Sequence, residues 1–179
     1  MEAIRGALVF FVAAAALWVG APALAAGIPP DYAPMVVEPS VGDGKTEFDL
    51  TPAQIRARRE KKRMYVYLGA NDCPYCRLYE AFLRQNAGEL VPEFAREYLI
   101  VDLRSSLSVK AAGLFFKVGG QSLDYKSFMQ KLGDERERML VYPSVWLFDT
   151  EMKPLMQMPA GTGTFQTVPE QLEILHLVQ

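Results

Sequence analysis

Apolar residues fill positions 64–68 without a break, cluster again at 98–103, and return at 141–148 behind Pro143. Runs of this length that lack polar alternation predict strands buried on both faces. Between them the spacing changes to that of helices. The first apolar run leads into a helix ending near Gln85. Asn86-Ala87-Gly88 breaks it, and a short second helix is expected over 89–96. Ahead of the first run, Thr51 suits an N-cap and Pro52 the first helical position, with strong helix formers over 53–62. Residues 104–120 show only a loop-like start at Ser105-Ser106 and an apolar patch at 114–116. Gly119-Gly120 then predicts a turn, and Ser122 a cap for a helix over 123–132. After the third run come a turn at 149–153, an edge strand at 154–158 and a loop at 161–163. Thr167 and Glu170 form a capping box for a closing helix over 168–178. The order strand, helix, strand, then helix, hairpin and helix predicts one layered α/β domain around a mixed central sheet flanked by helices.

The N-terminus has a different pattern. Arg5 precedes an uninterrupted apolar stretch over 6–19, followed by the small residues Ala21-Pro22-Ala23-Leu24-Ala25-Ala26. This predicts a signal peptide over 1–25, cleaved after Ala25. The stretch is short for a spanning helix, which needs about 20 residues; anchoring by an uncleaved signal is the alternative. Residues 26–50 carry Pro29, Pro30, Pro34 and Pro39 and read as an extended leader with a short strand at 35–37, which puts the folded domain at 51–179. Removing the first 25 residues leaves 154 of 179, enough for one core, and the net charge stays at −2. That balance gives no indication of nucleic acid. The basic run from Arg56 to Arg63 reads as a solvated helix face, or as a patch for an acidic partner or anionic lipid.

Both cysteines of the chain, Cys73 and Cys76, lie at the turn between the first strand and its helix. A thiol there meets the free N–H groups and partial positive charge of the helix start, which favour its thiolate. A bridge between them would close a very small loop. Chain entropy makes such a staple worth about 2 kcal/mol, against about 4–5 kcal/mol for a long-range one. A pair placed where it constrains least reads as a reversible dithiol/disulfide centre, with a staple or half of a zinc site as alternatives. Zinc usually takes four ligands, and the only histidine, His176, lies on the closing helix. Met152, Met156 and Met158 on the hairpin read as packing, with soft-metal ligation as the alternative.

The Cys73-Pro74-Tyr75-Cys76 motif after a strand, Tyr142-Pro143-Ser144 entering a later strand, the hairpin and the closing helix together resemble the thioredoxin superfamily over 51–179. Within it, the chain is similar to periplasmic thioredoxin-like proteins such as those of sulfur-oxidation systems. The resemblance implies a periplasmic thiol–disulfide oxidoreductase, acting on disulfides of proteins or small sulfur compounds and needing no bound cofactor. Cys73 would be the exposed nucleophile and Cys76 the buried resolving thiol. Pro143 would be a cis-proline beside them, with Tyr142, Pro74 and Tyr75 completing the substrate surface. A reductant of this kind would draw electrons from a membrane thiol relay and act as a monomer. A disulfide oxidase or isomerase, or a copper-delivery module on the same fold, are the alternatives. Three positions depart from the family pattern. Tyr67 stands where a buried carboxylate is usual, leaving Glu80 and Asp102 as possible substitutes. Asp72 replaces tryptophan, and Tyr142 is bulkier than the usual residue.

Overall fold

In the computed structural model, which describes residues 26–133, 139–158 and 167–176, the strand β4 (Arg63–Ala70) is buried from Met64 to Ala70. It pairs in parallel with β5 (Tyr98–Ser105) and antiparallel with β8 (Ser144–Phe148). β1 (Met35–Val37) joins the far side of β5, and β9 (Pro154–Met158) returns along β8. The sheet order is therefore β1-β5-β4-β8-β9.

Alternation along β4 sends Tyr65 and Tyr67 to one face and Met64, Val66 and Leu68 to the other. The tyrosine face packs on Leu83 of α2 (Pro74–Gln85), on Leu90 and Phe94 of α3 (Ala87–Glu97), and on Leu175 of α5 (Val168–His176). Two phenols hold α5 down: Tyr98 donates to the Leu175 carbonyl and Tyr79 to buried Gln171, each at 2.9 Å. The capping box at its start forms, with the Thr167 amide 3.1 Å from Glu170 Oε2. The opposite face buries Ala53 and Ala57 of α1 (Thr51–Glu60) and Phe128 and Met129 of α4 (Tyr125–Lys131). The domain is α/β with a mixed central sheet flanked by helices.

A second sheet, β2-β3-β6-β7, is built from β2 (Ser40–Gly42), β3 (Lys45–Asp49), β6 (Leu114–Val118) and β7 (Gln121–Asp124). β3 and β6 run parallel with Phe48 opposite Phe116, their rings stacked at 6.1 Å. Phe116 also stacks on Phe128 at 4.3 Å and meets Trp146 of β8 edge-on, which fastens this sheet to the first. Gly119 and Gly120, at φ +57° and +82°, make the β6–β7 turn; two consecutive left-handed residues are what a tight hairpin of this hand requires.

The expected boundary at residue 51 moves. Residues 26–50 are part of the domain: Ile28, Tyr32, Val37, Phe48 and Leu50 are buried, and three strands come from this segment. Pro29 and Pro30 start a 3-10 turn, Pro34 directly precedes β1 and Pro39 lies between β1 and β2, so proline content there reflects turns and not an open leader. Thr51 does not cap α1. It occupies the first helical position, and Asp49 Oδ1 accepts its amide at 2.9 Å. Ser122 likewise lies in β7, and Asp124 caps the shorter α4 by accepting the Ser127 amide at 2.8 Å. The strand expected over 141–148 begins only at Ser144, after the Tyr142–Pro143 bend. Of the basic run, Arg56 pairs with Glu60 at 2.7 Å, Arg63 with Glu97 at 2.8 Å, and Arg58 with Glu151. These half-exposed pairs fit a solvated face and contribute little each. The signal segment 1–25, the loop at 161–163 and the end of the closing helix beyond His176 lie outside the described residues. Among the described residues no helix is long and apolar enough to cross a membrane.

Candidate active site

Where β4 ends, the chain turns sharply: the Cys73 amide donates to the Ala70 carbonyl at 3.1 Å. Cys73 is the N-cap of α2, in extended conformation at φ −95° and ψ 115°, and Pro74 follows at the helix start. Its sulfur does the work a cap oxygen usually does, accepting the Cys76 amide at 3.1 Å. Both cysteines are free thiols. The Cys73 sulfur also lies 3.7 Å from the Tyr142 carbonyl, and the Tyr142–Pro143 peptide bond is cis. Cys73, Cys76, Tyr142 and Pro143, far apart in sequence, therefore meet at one point.

One implied feature is corrected. Cys73 is not exposed: it retains only 2% of its accessible surface, because the Tyr142 main chain and the surrounding apolar cluster close over it. The exposed residues of the motif are Pro74 and Tyr75, Tyr75 at 53%. Tyr142 and Pro143 are themselves buried. The Tyr142 hydroxyl is fixed on Ser105 Oγ at 2.9 Å, at the end of β5.

Cys76 is fully buried, and its thiol is pushed up to about 12, first by burial and then by the neighbouring Cys73 sulfur. The Ala70 amide, 3.5 Å from the Cys76 sulfur, and the Tyr67 hydroxyl act in the opposite direction. Tyr67 donates to Glu80 Oε1 at 3.1 Å, and the other Glu80 oxygen accepts Arg77 at 2.8 Å. The Arg77 side chain, which also contacts the Asn71 carbonyl, is thus committed to Glu80 and the loop. Asp72 is directed away to 106–107: its Oδ1 accepts the Leu107 amide at 2.8 Å, which holds this exposed carboxyl below its usual range.

Asp102 lies beside Tyr67 across the β4–β5 register and is completely buried. Oδ2 accepts the Ile28 amide at 3.1 Å and Arg104 at 3.0 Å, while Oδ1 has no hydrogen-bond partner. Gly27 lies so close that a Cβ there would meet Oδ2 at 2.4 Å. Burial raises this carboxyl to about 6, Arg104 opposing. The folded state therefore binds the Asp102 proton more tightly than the unfolded chain does. Ionised Asp102 costs stability above about pH 6, and that cost is relieved as pH falls from 6 towards 4. The shift from 3.8 to about 6 corresponds to a stability change on the order of 3 kcal/mol. Carboxylates with lowered values, such as Asp49 and Asp124, lose their contribution only below this window. Urea unfolding is expected to show stability rising from pH 6.5 to 4.5, and Asp102→Asn should flatten that rise.

Next to Tyr142, an open groove of about 310 Å³ is lined by Leu107, Val109, Ala111, Met139 and Leu140, with Lys110 as its cation. Sequence reading missed this groove, because it joins the unread segment 104–120 to residues just before Pro143. It also missed Ser105 as the anchor of Tyr142. Glu80 carried a signal: at i+7 from Cys73 and i+4 from Cys76 it shares their helix face. His176 sits on the surface of α5, 3.2 Å from Glu93. Met152 belongs to one apolar cluster and Met156 packs on the other, so the sheet separates them. Among the described residues no three His, Cys, Asp or Glu side chains are placed to hold a metal ion.

The strand order, Cys73 capping α2 with Cys76 in its first turn, and the cis-proline opposite define a thioredoxin-like fold, and the resemblance to that superfamily holds at the level of the fold. No protein-family model and no curated protein matches the chain. Among solved structures it is similar to a thioredoxin-fold protein from Helicobacter pylori, at 18% identity over 65% of this chain and 68% of that one (TM-score 0.40). A disulphide isomerase from Xylella fastidiosa is 16% identical over 70% and 85% (TM-score 0.42). An exposed lipoprotein thioredoxin from Streptococcus pneumoniae is 16% identical over 78% and 95% (TM-score 0.39).

Proposed function

We propose that the protein is a thiol–disulfide oxidoreductase, working as a reductant through Cys73 and Cys76. The observation that carries this reading is the Cys73 sulfur at the start of α2, held by the Cys76 amide and facing the Tyr142 carbonyl. The Cys73 thiolate attacks one sulfur of a substrate disulfide; the substrate S–S bond breaks and the departing sulfur takes a proton. Cys76 then attacks Cys73, the mixed disulfide breaks, and the second substrate thiol leaves. Two electrons pass to the substrate, and the protein is left with a Cys73–Cys76 disulfide. The sulfurs carry the electrons, so the reaction calls for no bound cofactor.

Exposed Tyr75 in the motif, with exposed Leu107 and Met139 in the groove beside Tyr142, favours a polypeptide client with apolar side chains beside its disulfide. The signal-like residues 1–25 favour export to a periplasm, with a membrane thiol relay returning electrons and the domain acting as a monomer. Equilibrating the reduced protein against a glutathione series measures the couple. A reductant should lie below about −200 mV, whereas a value near about −120 mV, typical of strong disulfide oxidants, would make it an oxidase. Failure to form the Cys73–Cys76 disulfide at any ratio would remove the redox reading altogether.

A further inference from the structure

We propose that cleavage after Ala25 supplies a second cation to the buried Asp102 carboxylate: the α-ammonium of Ala26, which pairs with Oδ1 and fastens the start of the domain to β5. This rests on the signal reading of residues 1–25 and is independent of the disulfide chemistry. Asp102 has no accessible surface, and its contacts fall on one oxygen. Arg104 places Nε at 3.1 Å and Nη2 at 3.0 Å from Oδ2, and the Ile28 amide donates to that same oxygen. A guanidinium can take both oxygens of a carboxylate at once; here it takes one. Oδ1, equally buried, has no hydrogen-bond partner among the described residues. A buried charge satisfied on one side only is costly, so this oxygen calls for a donor.

The chain brings a donor to that place. Gly27 is buried at φ +107°, and a Cβ on it would lie 2.4 Å from Asp102 Oδ2 and 2.7 Å from Arg104 Nε. Only glycine lets the backbone lie this closely on the ion pair. The Ala26 nitrogen is one residue away, held within about 5 Å of the Gly27 Cα by covalent geometry. The small residues Ala23-Leu24-Ala25 put the expected cut at this nitrogen. Hydrolysis of the Ala25–Ala26 bond by a signal peptidase consumes one water and leaves a carboxylate on Ala25 and an ammonium on Ala26. A neutral amide with one hydrogen becomes a cation with three, free to turn about the Ala26 backbone. Residues 26–30 carry no charged side chain, so this ammonium is the one charge the stretch can offer. The groups that face Asp102 from elsewhere are Arg104 on its own strand, Glu80 on α2 with Arg77 bound to it, and Tyr67 beside it on β4. Burial and Glu80 disfavour the ionised carboxylate, while Arg104 and the Ile28 amide oppose them. The ammonium joins the Arg104 side, so ionised Asp102 costs the cut chain less stability than the uncut one.

The full chain expressed with residues 1–25 and recovered after export should have Ala26 as its first residue by intact mass. Its α-amine, followed by the pH dependence of amine labelling on the N-terminal peptide, should titrate about one unit above the usual value of about 8. Asp102→Asn should return it to that value; asparagine keeps the shape of the side chain and the oxygen used by Arg104 and Ile28, which guards the fold. An acetyl group placed enzymatically on Ala26 removes the charge without changing the sequence. Acetylation should raise the unfolding constant in urea at pH 7 about tenfold in the wild type, and less than about twofold in Asp102→Asn. The pair needs an ionised carboxylate and a protonated amine. The effect of acetylation should therefore fade as pH falls and Asp102 takes its proton, and again as pH rises through the value of the amine. An α-amine titrating near 8 in both proteins, no effect of acetylation, or an equal effect in Asp102→Asn would overturn the pair. An exported protein with another first residue, or with 1–25 still attached, would overturn the processing step. The same titration on a chain made directly with Ala26 first needs no export, so failure of the signal reading and failure of the pair are told apart.

Discussion

Replacing Cys76 with alanine is expected to leave Cys73 covalently joined to its client. The first attack needs only the Cys73 sulfur, which keeps its place at the start of α2 and its contact with the Tyr142 carbonyl. The second attack has no nucleophile, so mixed disulfides should accumulate and survive non-reducing electrophoresis. Alanine is used because it removes the nucleophile and puts no polar atom at position 76, which has no accessible surface. Cys73→Ala should behave differently, trapping nothing and lowering turnover by more than about a thousandfold, as loss of a covalent nucleophile does elsewhere. Turnover is read as reduction of a protein disulfide, and thermal melts should show both variants folded. A Cys73→Ala protein that retains turnover would remove Cys73 from the reaction. A Cys76→Ala protein that releases its client at the wild-type rate would remove the resolving role of Cys76.

The parts of the site visible in sequence are those written locally. Cys73, Pro74 and Cys76 are neighbours, and a strand before them with a helix after them fixes what they cap. β4, β5 and β8 were legible because strands buried on both faces are apolar at nearly every position. Pro143 was legible as a proline entering such a strand. The Tyr67–Glu80 bond was not: it joins a strand to a helix face across 13 positions and exists only once α2 lies on the sheet. Tyr67 looked like a missing carboxylate because the carboxylate is supplied from another element. The segment 104–120 failed for a related reason. β6 is an alternating strand whose partner, β3, lies 68 positions earlier in the chain (Thr46 opposite Leu114), and no local pattern identifies such a parallel pairing. The same pairing hid β3 within the proline-rich residues 26–50, although Asp43-Gly44 there makes a tight hairpin turn with both residues left-handed.

The largest stability effect should come from that N-terminal segment. A chain beginning at Thr51 removes β1 and β3 together with the buried side chains of Ile28, Tyr32, Val37, Phe48 and Leu50. At about 1.5–3 kcal/mol per buried side chain, the loss is roughly 7–15 kcal/mol, comparable to the whole stability of a typical domain. The truncation also strips β5 of β1, one of its two parallel neighbours, and takes the Ile28 amide from Asp102, leaving a buried carboxylate held by Arg104 alone. Beyond the first sheet, β6 loses its parallel partner and Phe116 the ring stacked at 6.1 Å. A chain beginning at Gly27 retains every one of these contacts and should give a cooperative thermal transition with near-ultraviolet dichroism from its packed tyrosines. The chain beginning at Thr51 should show neither. Cooperative melting of the shorter chain within a few degrees of the longer one would restore the boundary at 51 and make residues 26–50 dispensable to the fold.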